Sequence, residues 1–206
     1  ETAGSLPNRL YRNHHGQDFV DVASLAATAD RGYGQGVTAA DLNQDGFMDL
    51  VIANVGINVL CMNNGDGTFT ASQLAGSDGW TTSISCGDLD GDHLPEMVEI
   101  NYINDEKAYS AKCWGAGFDC TPRIFTQAKD RVLRRSSSGH WNSSGFASEF
   151  SLSPNYGFAG VIANFDATAG NDLFITNDTT NNHFWISQLS EASSKFSLDN
   201  QSTQRG

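Results

Sequence analysis

DLNQDGFMDLVIAN, residues 41–54, is the stretch that decides the fold. Oxygen-bearing side chains stand at its relative positions one, three, five and nine (Asp41, Asn43, Asp45 and Asp49), and an apolar run follows at once. As the backbone curls, alternate side chains turn inward, and converging oxygens are what a hard cation such as calcium needs. Gly46 permits the left-handed turn that carries the Phe47 carbonyl round as a further ligand. In the helix-flanked calcium loop the closing acid comes at the twelfth position. Here it comes at the ninth and strands flank the loop, so that fold is excluded.

The loop is written three times. DLDGDHLPE (88–96) supplies Asp88, Asp90, Asp92 and Glu96, with Leu94 as the expected carbonyl ligand. Its four carboxylates exceed the first copy's three, so their mutual repulsion without a cation is larger. His93 occupies the place of Gly46, where a non-glycine residue holds a left-handed backbone at some cost. NFDATAGND (164–172) keeps only Asn164, Asp166, Thr168 and Asp172, with Gly170 displaced by one residue. The first two copies are read as calcium sites. For the third, a weaker metal site and a structural turn remain alternatives.

Landmarks around the loops define a repeating unit. An aromatic stands eight residues before each first ligand (Tyr33, Trp80, Tyr156) and an asparagine thirteen after it (Asn54, Asn101, Asn177). The loops start 47 and then 76 residues apart, and a period of roughly 45 to 50 residues falls in the range of propeller blades. NRLYRN (8–13) and NVLCMN (58–63) open a second repeated element, a hairpin with a Gly-rich turn, and NHFWIS (182–187) is its third copy. The expected fold is all-β: about three and a half β-propeller blades with interstrand calcium loops. Residues 1–25 end a preceding blade, and blades follow at 33–74, 80–155 and 156–206. The second blade carries an insertion over about 103–154 that contains a helix or strand near 124–135. Such a segment leaves strand edges exposed. The chain is therefore expected to be part of a larger propeller, or to be completed by further blades from the same or another chain.

Charge and cysteines narrow the setting. The chain has 12 basic and 24 acidic residues, net −12, and nine of the acids sit in the three loops. That balance argues against nucleic acid or an anionic membrane as partner. No apolar stretch approaches a membrane span, so no membrane insertion is expected, and any leader is expected to have been removed. Cys113 and Cys120 bracket a short Gly-containing loop and are expected to form a disulfide; the even set of four favours an oxidising compartment. For Cys61 and Cys86 two readings stay open: a bridge between them, or, for Cys86, a buried small hydrophobe at the core position of Ala39 and Ile162. Three sequons occur, at Asn142, Asn177 and Asn200. Asn142, in a Ser/Gly-rich stretch, is the expected glycan site, whereas Asn177 repeats Asn54 and Asn101 and reads as a structural amide. The five histidines form no nucleophile or zinc constellation, and the carboxylates are better explained by calcium than by glycoside hydrolysis, so no enzyme is expected.

DLNQDGFMDLVIAN followed by a strand and NNGDGTF resembles the FG-GAP/VCBS repeat group, similar to integrin α-subunit heads. NRLYRN, GDLDGD and LFITND more narrowly resemble the cartilage acidic protein (ASPIC/UnbV-like) family. The resemblance covers residues 7–102 and 156–187, and implies a seven-bladed propeller, calcium in blade-edge loops, and a secreted or surface protein for adhesion or ligand binding. The leading expectation is thus a non-catalytic, extracellular, calcium-stabilised module for adhesion, ligand binding or assembly, with a protein or glycan ligand. One rival is a carbohydrate-binding module whose Trp114 and Trp141 stack on sugars. Another is a structural subunit of an extracellular polymer.

Overall fold

The computed structural model describes residues 6–111, 121–143, 154–168, 170–190 and 195–202. Their structure is all-β, with short 3₁₀ turns at Glu106–Tyr109 and Pro122–Ile124 and no α-helix among the described residues. A hairpin of β1 (Tyr11–His14) and β2 (Asp18–Asp21) comes first, and three four-stranded antiparallel sheets follow. The first contains β3 (Tyr33–Ala40), β4 (Asp49–Val55), β5 (Val59–Asn63) and β6 (Phe69–Gln73). The second contains β7 (Thr81–Gly87), β8 (Glu96–Asn101), β9 (Arg131–Arg135) and β10 (Trp141–Asn142). The third contains β11 (Gly157–Ala163), β12 (Asp172–Asn177), β13 (His183–Ser190) and β14 (Lys195–Asn200). Each sheet is a meander of consecutive strands, a propeller-like arrangement.

Register is identical in all three sheets. The ninth residue of each acidic loop opens the second strand, with Asp49 opposite Ala40, Glu96 opposite Gly87 and Asp172 opposite Ala163. One residue on, Leu50, Met97 and Leu173 face Cys61, Leu133 and Trp185 of the third strands. A bulge interrupts each first pair at one equivalent place, between Gly34 and Gly36, Thr81 and Ser83, and Gly157 and Ala159. Because side chains alternate across a strand, the second sheet feeds two cores. Met97 and Leu133 join Leu42, Val51, Leu60 and Ile84 against the first sheet. Val98, Ile100 and Val132 join Leu173, Ile175 and Trp185 against the third. This sandwiching leaves every residue of β8 buried, acids included. The first strands lie side by side, β3 by β7 and β7 by β11. Their approach leaves no room for a side chain at Gly36, whose Cβ would lie 2.8 Å from the Thr82 carbonyl oxygen.

The recurring asparagine closes the turn between second and third strands. Its Nδ2 donates to the carbonyl of Ile57 (2.9 Å), Lys129 (2.9 Å) or Asn181 (2.8 Å). Its own backbone N–H donates to the side chain just before the third strand: Asn58 (2.7 Å), Asp130 (2.7 Å) or Asn182 (2.9 Å). The Asn177 nitrogen that a glycan would need is therefore engaged in the turn, in keeping with its reading as a structural amide.

Two expectations are corrected. The span read as an insertion, 103–154, holds β9 and β10, the third and fourth strands of the second sheet, so the extra chain between β8 and β9 is confined to 102–130. The Cys61–Cys86 bridge is not formed: both are free thiols. They belong to different sheets, Cys61 paired with Leu50 and Ala71 and Cys86 with Met97, and Cys86 packs onto the core between those sheets. Burial pushes the Cys86 thiol up to about 12, as expected of an inert, apolar-packed cysteine. Cys113, Cys120 and Trp114 lie outside the described residues.

Candidate functional site

The three acidic loops join the first and second strands of their sheets, so they emerge at one end of the molecule. They also touch in sequence. The Gln44 side chain donates to the His93 carbonyl, and Asn171 Nδ2 donates to the Asp88 carbonyl at 2.7 Å.

Each loop is wound by its own side chains. Its ninth residue is an acid, fully buried at 0% exposure in every copy, which accepts the backbone N–H of the second residue. These bonds join Leu42 to Asp49 (3.0 Å), Leu89 to Glu96 (2.8 Å) and Phe165 to Asp172 (2.8 Å). The N–H of the fifth residue donates to the third residue's oxygen: Asp45 to Asn43, Asp92 to Asp90 and Thr168 to Asp166. Asp41 and Asp88 at the first position accept the sixth residue's N–H, from Gly46 and His93, both at 2.9 Å. The backbone that permits this is left-handed at the sixth position, with φ of 87° at Gly46 and 71° at His93. It is left-handed again at the fourth, at Gln44, Gly91 and Ala167. The N–H groups of Phe47 and Leu94, the expected carbonyl ligands, donate to Asp45 (2.9 Å) and Asp92 (2.8 Å).

The loops differ in what neutralises their oxygens. Asp49 uses both of its own on backbone, the second accepting from Asn63 N at 2.8 Å, and Asp172 does the same with Ser187 N at 2.9 Å. In the third copy the Asn164 amide donates to the Thr168 and Gly170 carbonyls, the latter at 3.1 Å, so the degenerate loop closes on itself. In the second, oxygens of Asp88, Asp90 and Glu96 lie within 4.8 Å of one another, and they form the one carboxylate group of this kind among the described residues. Burial pushes Glu96 up to about 8, reinforced by Asp90 and Asp92 and opposed by the Leu89 N–H and Arg134. Burial also raises Asp90, against the pull of Arg134. For Asp92, burial is outweighed by the Leu94 N–H and by Arg134, which hold its carboxyl below the usual range. Glu96 Oε1 is buried and has no hydrogen-bond partner, a costly state for a carboxylate that a divalent ion would relieve. The acidic residues and carbonyls of these loops fit a hard cation in donor type: oxygens only, several of them anionic.

Reading the sequence missed two features. Arg134 of β9 pairs with Asp90 at 2.8 Å and with Asp92, and reaches within 3.8 Å of Glu96. Arg131, three residues earlier, pairs at 3.1 Å with Glu99, which is almost wholly buried. Three arginines within RVLRR, in a chain with only 12 basic residues, were the available signal. Of the expected ligand-stacking residues, Trp141 is half-buried and packs against the core between the first and second sheets. Asn142 is exposed on β10.

Residues 2–52 and 41–98 each match the family model of the FG-GAP-like repeat. The two matches share the first acidic loop, and the second ends within β8, leaving the third sheet outside both. No curated protein matches the chain.

Proposed function

Because this chain is an FG-GAP repeat protein, we propose that it is a calcium-braced propeller module of an extracellular protein, non-catalytic and used for adhesion, ligand binding or assembly. The observation that carries the reading is the repeated acidic loop, whose second copy brings Asp88, Asp90 and Glu96 together with a buried Glu96 oxygen that has no hydrogen-bond partner. Asp41, Asn43, Asp45 and Asp49 would hold calcium in the first loop with the Phe47 carbonyl. Asp88, Asp90, Asp92 and Glu96 would hold it in the second with that of Leu94. Bound calcium would supply positive charge that fixes each loop to the strands beside it.

Several features support the setting. FG-GAP repeats are typically extracellular and generally non-catalytic. No helix among the described residues is long and apolar enough to cross a membrane. The β1–β2 hairpin is exposed along its length, with Phe19 at 66%. Further four-stranded blades, from the same polypeptide or another chain, would cover it. The narrower likeness to the cartilage acidic protein family rests on NRLYRN, GDLDGD and LFITND alone. Retention of the purified protein on extracellular matrix and on cell surfaces, with calcium and with chelator, tests the function. Retention that disappears with chelator is expected; equal retention in both, or none in either, contradicts the reading.

A further inference from the structure

We propose that Arg134 is the resident cation of the second acidic loop, and that it decides the order in which the loops take calcium: the first directly, the second only when the guanidinium is displaced. The inference rests on the calcium reading above and goes beyond it in assigning a role to a residue outside the loops.

The geometry of the pairing carries it. Asp90 and Asp92 each give Oδ1 to a backbone N–H, of Asp92 at 3.2 Å and Leu94 at 2.8 Å. The remaining Oδ2 atoms both meet Arg134 Nη2, at 2.8 Å for Asp90. Arg134 thus occupies the oxygens that Asp90 and Asp92 have left to offer. Independently of that pairing, Glu96 Oε1 is buried without a hydrogen-bond partner and lies 3.8 Å from Arg134 Nε. The cluster is therefore assembled for a cation stronger than the single charge that reaches it.

Comparison of the sheets shows that the arginine is particular to this loop. It follows Leu133, the register partner of Met97, so its counterparts are Met62 in the first sheet and Ile186 in the third, neither of them charged. Among the described residues no Lys or Arg pairs with Asp41, Asp45 or Asp49. The third loop uses the Asn164 amide instead. A calcium ion entering the second loop must break charge-assisted bonds to a planar guanidinium. Its apparent affinity falls by the fraction of time those oxygens are uncovered.

Calorimetric calcium titration of the wild-type chain, Arg134→Met and Arg134→Met/Asp90→Asn tests this. Wild type is expected to show a tighter and a weaker site. Arg134→Met should tighten the weaker one by about tenfold or more, and adding Asp90→Asn should abolish it. In chelator Arg134→Met should melt below wild type, and calcium should restore it. Arg134→Lys, which keeps the charge but not the planar fork, should fall between the two and guards against misfolding of the Met variant. Unchanged or weakened calcium binding in Arg134→Met and Arg134→Lys, with the tighter site intact, overturns the proposal and leaves the calcium reading standing. Absence of binding in every variant and in wild type overturns both.

Discussion

Asp130 shows how one residue can make a repeated brace sensitive to pH. Asn58 and Asn182 hold the same turn in the first and third sheets with neutral amides. In the second sheet a carboxyl accepts the Asn101 N–H at 2.7 Å while its other oxygen is buried without a partner. Burial pushes it up to about 7, against the effect of the Asn101 bond. A carboxyl raised in the folded state binds its proton more tightly there than in the unfolded chain. Its contribution is therefore full below the ordinary carboxyl range and is lost as pH rises through about 7. Asp130→Asn should remove that slope. Measured by denaturant unfolding between pH 5 and pH 8, the variant should gain on wild type as pH rises, by on the order of a few kcal/mol. A difference that stays constant across the range contradicts the assignment. Much at this scale was legible in the sequence. The left-handed place of Gly46 and His93 followed from their spacing, and the structural role of Asn177 from its repeat partners. Asp130 was not legible, because a buried acid and an exposed one look alike until the strand after it is placed.

At the scale of the element, the second sheet places a charged pair where its neighbours place none. Glu99 faces Arg131 across β8 and β9, where the first sheet pairs Ile52 with Val59 and the third pairs Ile175 with His183. Glu99 also accepts from Asn58 Nδ2 at 3.0 Å and from the Ser77 hydroxyl, tying the first sheet to the second. Removing one partner of a buried ion pair strands the other, whereas replacing both with apolar residues is commonly tolerated. Arg131→Ala, which strands the buried Glu99 carboxylate, should destabilise by about 3–5 kcal/mol. Glu99→Ile/Arg131→Val, which installs the first sheet's pair, should recover at least half of that loss in a double-mutant cycle of unfolding free energies. Additive losses would contradict it. This substitution also explains why the outer half of the sheet was misread. RVLRR carries arginines at Arg131 and Arg134 because buried or clustered acids on β8 and in the acidic loop recruit them. Their charge hid the strand's kinship with VLCMN, and β9 and β10 were absorbed into an apparent insertion.

For the whole molecule, three sheets of one register stack through their first strands, and the acidic loops come together at one end, in contact with one another. The period of the loops announced this stacking, since only a repeated unit needs its landmarks at fixed distances. It could not announce how each loop is neutralised, because that depends on which side chains the neighbouring strands bring to it: backbone N–H groups for Asp49, Arg134 for the second loop, an amide for the third. A chain of net charge −12 with nine of its 24 acids in the loops at one end should gain stability from any divalent ion that binds only its folded form. The most direct test counts that ion. Native mass spectrometry of the chain and of Asp41→Asn/Asp45→Asn, paired with thermal unfolding in calcium and in chelator, should find an ion at each of the first two loops at saturating calcium. One of them should be absent from the variant, and the midpoint should fall by several degrees on chelation. No bound calcium in the wild-type chain, with the same midpoint in calcium and chelator, would contradict the account.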